Sequence, residues 1–154
     1  MRELCGNLWD HLGQAVLVIT TNGRVDRQGR ALLGRGCARQ ALAYFPQLAE
    51  HLGRLLREQG LQVHDLGNGL VSFPVEETPW SRPDPRLIAR SAAQLRALAD
   101  HQGWRKIIVP RPGCGGGGLS WQEVQPLLLE HFDERFWVIA APEQTLATGG
   151  DEQV

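Results

Sequence analysis

Short apolar runs alternate along the chain with longer segments that mix apolar and polar residues. LQVHDL and LVSFPV flank Gly67-Asn68-Gly69 and predict two strands joined by a tight turn. Strands that alternate with helical segments predict an α/β fold with helices on both faces, and the hairpin makes the central sheet mixed. Three other runs are continuous and apolar, as is typical of strands buried on both faces: 15–20 (AVLVIT), 107–110 (IIVP) and 136–142 (FWVIAAP).

Helices are predicted between these strands. Residues 31–45 (ALLGRGCARQALAYF) have helical spacing, and Pro46 is expected to open a further helix that stops at Gly60. Asp84-Pro85 is an N-cap followed by proline at the first helical position, which indicates another helix start.

A fourth helix is predicted directly after a run of glycines. Ser120-Trp121-Gln122-Glu123 fits a capping box, in which the serine and glutamate side chains satisfy each other's backbone N–H groups. Pro126 lies deep enough in this segment to predict a kink or a later start.

Length and composition indicate one domain, and we expect no cofactor. The 154 residues predict a single domain over 1–142 and a flexible tail over 143–154. The net charge of -1 does not call for nucleic acid or an anionic membrane. Cys5, Cys37 and Cys114 are widely spaced, which argues against a disulfide framework and, with scattered histidines, against a metal site. Without a signal peptide or membrane-spanning run, we expect a cytoplasmic protein with no membrane partner.

The stretch RPGCGGGGLSW (111–121) follows a predicted buried strand and precedes a predicted helix. A second glycine-bearing loop, 21–36, stands in the same relation to the strand at 15–20. Loops of this kind present backbone N–H groups at the carboxyl edge of a sheet, where phosphates bind. Neither loop fits the P-loop or the dinucleotide-binding glycine pattern. Two such loops facing each other predict a site for a diphosphate.

Several stretches, taken in order over about residues 5–140, resemble the macro domain family. The nearest branch contains DNA ADP-ribosyl glycohydrolase antitoxins and terminal ADP-ribose–protein glycohydrolases. Its corresponding stretches read roughly GN(L/I), VNxVN, MGKGIA, FPTK…W and GCGNGGLDW. The stretches of this chain that carry the resemblance are GNLW (6–9), VITTNG (18–23), LLGRGCARQA (32–41), SFPVEETPW (72–80), RPGCGGGGLSW (111–121) and VQPLL (124–128).

The resemblance implies a three-layer α/β/α fold that holds ADP-ribose, as ligand or substrate, across the strand ends. Asn22 would bond the distal ribose, 34–37 and 113–118 would enclose the diphosphate, and Trp9 and Trp80 become candidates for stacking on adenine. The implied ligand-binding residues are Asn7, Leu8, Thr21, Asn22, Gly34, Arg35, Gly36, Cys37, Pro74, Gly113, Cys114, Gly115, Gly116, Gly117, Gly118 and Leu119.

The chain departs from the hydrolase branch at the position of that branch's lysine, which is Glu76 here. The single lysine, Lys106, lies within a predicted strand, so the resemblance carries over no lysine-dependent mechanism. Glu76 and Asp26 are instead candidates for a general base acting on water, although glutamates in a proline-rich loop are also typical solvated charges.

Three functions follow as hypotheses. The chain is an ADP-ribose-binding macro domain that hydrolyses an ADP-ribosyl linkage on DNA, nucleotide or protein, or an ADP-ribose derivative. Alternatively it is a reader that binds ADP-ribose or an ADP-ribosylated partner without catalysis, because the lysine is replaced by Glu76. A third hypothesis is a phosphate- or nucleotide-binding regulator of unrelated chemistry, since fold does not determine function.

Overall fold

The computed structural model describes residues 1–116 and 118–144. The end of the predicted tail, 145–154, and the candidate Gly117 lie outside the described residues. Within them, a 3-10 helix spans Leu8–His11 and the α-helices are α1 (Gly36–Ala41), α2 (Leu48–Gln59), α3 (Pro85–Gln102) and α4 (Trp121–Leu129). The strands are β1 (Arg2–Cys5), β2 (Val16–Thr21), β3 (His64–Gly67), β4 (Leu70–Pro74), β5 (Ile107–Pro110) and β6 (Phe136–Ala140).

The strands form one sheet in the order β1-β6-β5-β2-β4-β3. All neighbours are parallel except β3 and β4, which pair antiparallel. Asn68, in the turn between β3 and β4, has a φ of 54°, a left-handed conformation that asparagine tolerates. The predicted hairpin and mixed sheet are therefore confirmed, and the five parallel strands end at one common edge.

Apolar side chains of the central strands alternate between two cores. Val18 and Phe73 belong to the core under α3 and α4. Leu17 and Ile19 belong to the core under α1, α2 and the 3-10 helix. Because both faces of the sheet are covered by helices, the predicted three-layer α/β/α fold is confirmed.

Two helices begin at the predicted residue, and in both a side chain caps the first turn. The Asp84 carboxylate accepts a hydrogen bond from the Arg86 backbone N–H at 2.9 Å, and α3 begins at Pro85 as expected. The capping box of α4 has both of its bonds, between Ser120 and Glu123. The helix starts at Trp121 in spite of Pro126, which lies inside it, so the alternative of a later start is wrong.

Three elements differ from the prediction. α2 begins at Leu48, two residues after Pro46. The helix predicted over 31–45 is confined to Gly36–Ala41. The residues before it are not helical: Ala31 and Leu32 donate their backbone N–H groups to the carbonyl oxygens of Ala49 and Arg24, and the Leu32 carbonyl oxygen accepts from the Asn22 amide at 3.0 Å. β1 was not predicted, because its side chains are mostly exposed and its pairing partner, β6, is at the far end of the chain.

Candidate ligand-binding site

A cavity of about 1070 Å³ opens at the edge where the five parallel strands end. Its walls come from the segments that follow β1, β2, β4, β5 and β6, so every parallel strand contributes to it. This edge is where open α/β sheets bind ligands, because the loops there can diverge to either side.

Most residues implied by the resemblance line this cavity, although their contacts with a ligand stay predictions. Glu76, the candidate base, lies among them. The residues brought together are Asn7, Leu8, Thr21, Asn22, Gly34, Arg35, Gly36, Cys37, Gly113, Gly115, Gly116 and Gly118.

Four candidates do not line the cavity. Pro74 is buried at the end of β4, where its carbonyl oxygen accepts a hydrogen bond from the Ser91 hydroxyl at 2.7 Å. Cys114 and Leu119 pack against the core under α3 and α4, and so anchor the glycine loop instead of facing its open side. Asp26 lies in a turn of the β2–α1 loop, and its carboxylate accepts from the backbone N–H groups of Gln28 and Arg30.

The hydrogen bonds of the Asp26 carboxylate stabilise the turn in which it lies. The backbone hydrogen bond from Arg30 is the main cause that holds the pKa of Asp26 below its usual value. A carboxylate that is stabilised as an anion by its own turn is a poor proton acceptor. Its absence from the cavity lining and its lowered pKa both argue against the general-base role.

The glycines of the 111–120 segment, called here the glycine loop, divide into two groups. A Cβ on Gly118 would overlap the backbone oxygen of Gly113, and one on Gly113 would lie 2.9 Å from carbons of Ile88 and Pro83. Gly115 and Gly116 have nothing within 4 Å of such a Cβ, and both line the cavity. The first group is required for packing, whereas the second keeps the cavity side of the loop bare.

Backbone donors of the glycine loop suit an anion. Gly118 and Leu119 donate their N–H groups back to the loop, at 3.1 and 2.8 Å. Across residues 1–116 and 118–144, the N–H groups of Gly115 and Gly116 have no hydrogen-bond partner. At the start of α4 the capping box occupies the Ser120 and Glu123 N–H groups. The available donors therefore belong to the loop and not to the capped positions of the helix.

In the β2–α1 loop, the Asn22 side chain holds the loop together through two hydrogen bonds and has one N–H donor left over. Its side chain is almost fully buried, its Oδ1 accepts from the Arg24 N–H at 2.8 Å, and its Nδ2 donates to Leu32. An amide NH₂ has two hydrogens, so one remains without a partner among the described residues. Gly34 and Gly36 on the same wall leave open space where a Cβ would be.

The two tryptophan candidates differ in position. Trp9 is buried, donates from Nε1 to Gln40 at 2.9 Å and stacks on Tyr44 with ring centroids 4.7 Å apart. It does not line the cavity. Trp80 lines it and is 74% exposed, with the Arg24 guanidinium 5.7 Å above its ring. Of the two, Trp80 is the one available for stacking on a ligand.

Cysteine chemistry is disfavoured at this site. Burial raises the pKa of the Cys37 thiol, whose Sγ accepts a hydrogen bond from the Thr20 N–H at 3.4 Å. Burial also raises the pKa of Cys114 to about 11. Because the thiolate is the nucleophilic form, neither side chain is poised for covalent catalysis. In the ranges that the structure describes, no group of three or more His, Cys, Asp or Glu side chains is arranged to hold a metal ion.

Glu76 is the most unusual side chain of the lining. It is a buried carboxylate at the start of the β4–α3 loop, with only 9% of its side chain exposed. Its Oε1 lies 3.5 Å from the Arg35 guanidinium. Its Oε2 is shielded from solvent and has no hydrogen-bond partner among the described residues. The Arg35 guanidinium also donates to the Pro79 carbonyl oxygen at 3.0 Å, and so links the two loops.

The sequence analysis missed lining residues that carry no motif. The chain after β6, residues 141–144, belongs to the cavity wall. The rule that ligands bind at the carboxyl ends of parallel strands would have included this segment. Gln40, Ser81 and Arg82 also line the cavity, and no pattern in the sequence indicated them.

Solved structures with the same arrangement identify the fold. The macrodomain of Thermus aquaticus DarG superposes with a TM-score of 0.73 at 24% identity, over 91% of this chain and 96% of that one. The macrodomain of Mycobacterium tuberculosis DarG gives 0.70 at 20% identity, over 91% of this chain and 97% of that one. The chain has the macrodomain fold.

A third similar structure contains a ligand. Thermosipho africanus DarTG in complex with ADP-ribose matches with a TM-score of 0.73 at 17% identity, over 92% of this chain and 42% of that one. No family model matches the sequence. No curated protein matches it either. The described residues contain no helix of the length and apolar character needed to span a membrane.

Proposed function

We propose that this macrodomain-fold protein binds ADP-ribose in the cavity at the carboxyl edge of its sheet. The observation that carries the proposal is that two glycine-bearing loops, 21–36 and the glycine loop, line one cavity with bare backbone. The ADP-ribose complex of Thermosipho africanus DarTG supports the same choice of ligand.

The chemistry of the two loops fits a diphosphate between two sugars. Backbone N–H groups stabilise phosphate oxygens without the desolvation cost of a buried cation. Gly115 and Gly116 supply such groups on one side, and the segment 34–37 faces the same cavity. At about 1070 Å³ the cavity is at the large end of small-molecule sites, which suits a ligand of dinucleotide size.

Within this proposal Asn7 and Leu8 lie beside the adenine, and the remaining amide hydrogen of Asn22 bonds the distal ribose. The Asn7 side chain is fixed in position because its Oδ1 accepts a hydrogen bond from the Trp9 backbone N–H at 3.0 Å and so caps the 3-10 helix. Thr21 completes the wall at the end of β2.

Titration calorimetry with ADP-ribose tests the proposal. We expect saturable binding, and weaker binding of AMP, because AMP lacks the second phosphate for the glycine loop. The absence of any measurable heat at millimolar ADP-ribose would refute the proposal and favour a regulator with unrelated nucleotide chemistry. Equal affinities for ADP-ribose and AMP would refute only the binding of the second phosphate by the glycine loop.

A second candidate function is hydrolysis of an ADP-ribosyl linkage on DNA, nucleotide or protein, with Glu76 as general base. The Glu76 carboxyl in the cavity lining favours it, because one of its oxygens has no protein partner and, once the side chain turns to expose it, can accept a proton from water. The test is turnover of ADP-ribosylated DNA and ADP-ribosylated protein at saturating substrate. We expect Glu76→Gln to abolish turnover, and full activity of that variant would exclude the role.

If the wild-type protein binds ADP-ribose but turns over neither substrate, the protein is a reader of ADP-ribosylated partners. We place it in the cytoplasm, because its three cysteines are odd in number and widely spaced in the sequence, a pattern that does not suggest a disulfide framework. Fractionation of cells that express a tagged chain tests this location.

A further inference from the structure

Among the described residues, the Oε2 of Glu76 is the one buried side-chain nitrogen or oxygen atom without a hydrogen-bond partner. The buried carboxyl of Glu76 has a single polar contact in the described part of the chain, 3.5 Å from the Arg35 guanidinium. By contrast, Asp26 accepts two backbone hydrogen bonds at 2.8 and 2.9 Å. A buried acceptor without a donor costs free energy, so a ligand that brings a donor to Glu76 in the cavity wall gains from pairing with it.

The charges around Glu76 restrict the kind of donor. Arg35 already provides a positive charge to this carboxylate, so a second cation at the same place would be repelled by Arg35. An anionic group would be repelled by Glu76 itself. The pair is close to neutral, and it therefore suits an uncharged donor such as a hydroxyl group.

A vicinal diol meets this requirement better than a single hydroxyl group. A carboxylate has two acceptor oxygens, and two neighbouring hydroxyls offer two O–H donors at matching separation. The sugars of a nucleotide carry such diols, whereas a terminal phosphate carries negative charge and no comparable donor.

We propose that Glu76 is a specificity-determining acceptor that bonds the hydroxyl groups of a terminal sugar. The site then selects a nucleoside diphosphate that ends in a sugar over one that ends in phosphate. The proposal rests on the proposed binding of ADP-ribose, and it holds whether or not turnover follows.

Arg35 is the side chain that gives way when the ligand enters. It is 70% exposed, and its guanidinium is held by the Pro79 carbonyl oxygen and by Glu76 alone among the described residues. An exposed arginine joined by two such contacts can turn at little cost. A turn that keeps the guanidinium near the carboxylate preserves the neutral pair and allows the Glu76 carboxyl, now shielded, to face the sugar.

Calorimetry with ADP-ribose and ADP tests the proposal on the wild type, Glu76→Gln and Glu77→Gln. Glu77 is the matched control, because it is adjacent, undergoes the same change in charge, and is exposed. We expect Glu76→Gln to weaken ADP-ribose binding roughly tenfold, as for loss of a hydrogen bond to a charged acceptor, while ADP binds as before or more tightly. Glu77→Gln should preserve both affinities.

Two results would overturn the proposal: an unchanged ratio of the ADP-ribose and ADP affinities in Glu76→Gln, or the same effect from Glu77→Gln. If Glu76→Gln does not fold, the wild type is titrated with ADP-ribose and with an analogue that lacks the terminal 2″ and 3″ hydroxyls. Equal affinities for those two ligands would also overturn it. A wild type that binds none of these ligands refutes the proposed function itself, which is a different outcome.

Discussion

Replacing Gly115 by valine separates binding from folding at the glycine loop. The φ of Gly115 lies outside the left-handed range, and no atom lies within 4 Å of an added Cβ. The variant should therefore keep its free energy of unfolding within about 0.5 kcal/mol of wild type. The new methyl groups enter the cavity, where the proposed diphosphate approaches the loop.

The expected loss of affinity follows from the contact that is blocked. Each hydrogen bond from a backbone N–H to a charged oxygen contributes about 1.5–3 kcal/mol, so losing one reduces affinity by roughly 10- to 100-fold. Gly115→Ala should give a smaller loss, because it adds one carbon instead of three. Calorimetry with ADP-ribose measures the affinities, and thermal melts without ligand measure the stability.

Gly118→Ala is the contrasting variant. Its Cβ would overlap the backbone oxygen of Gly113, so the glycine loop must shift and both stability and binding should fall. Wild-type affinity of Gly115→Val would refute the placement of the ligand against this loop. A Gly115→Val protein that does not fold would show that the space around Gly115 is not open.

Three further predictions concern stability and reactivity. Gly53→Ala should lower the free energy of unfolding in urea by about 2 kcal/mol, because its Cβ would overlap the backbone of the β2–α1 loop; an unchanged midpoint would contradict this. The hydrogen bond from the Ser120 backbone N–H holds the pKa of Glu123 below its usual value. The ionised carboxylate therefore stabilises the fold fully above its unfolded-state pKa of about 4.3. This stabilisation is lost as the pH falls through the lower pKa of the folded state. Melting temperatures of wild type and Glu123→Gln should therefore converge between pH 5 and 3, and a constant gap would refute it. Iodoacetamide at pH 8 should label exposed Cys5 before Cys37 and Cys114, because burial raises the pKa values of the latter two thiols. Mass spectrometry measures the labelling rates, and equal rates at the three cysteines would contradict this prediction.

Local signals in the sequence predicted the elements whose ends depend on neighbouring residues. The Gly67-Asn68-Gly69 turn, the Asp84 cap and the capping box at Ser120 each act over at most three residues, and each is present in the structure. The three continuous apolar runs likewise became β2, β5 and β6 with small changes at their ends.

Features that depend on distant partners were not predictable in this way. β1 forms because Arg2 to Cys5 pair with a strand more than 130 residues away. Residues 32–35 are not helical, although their own spacing is, and Leu32 is held by the Asn22 side chain and by the Arg24 carbonyl oxygen. Arg35 meets Glu76 across 41 residues, so the sequence could suggest Glu76 as a candidate but not its burial or its partner.

The two edge strands of the sheet have a consequence for association between molecules. An edge strand presents unpaired backbone groups that can recruit a strand from another chain. Here β1 and β3 are each four residues long, and the β3 pairing is interrupted by a register shift between Asp65 and Gly67. Such short and irregular edges offer few consecutive hydrogen bonds, so the sheet resists the strand-by-strand growth that leads to aggregation.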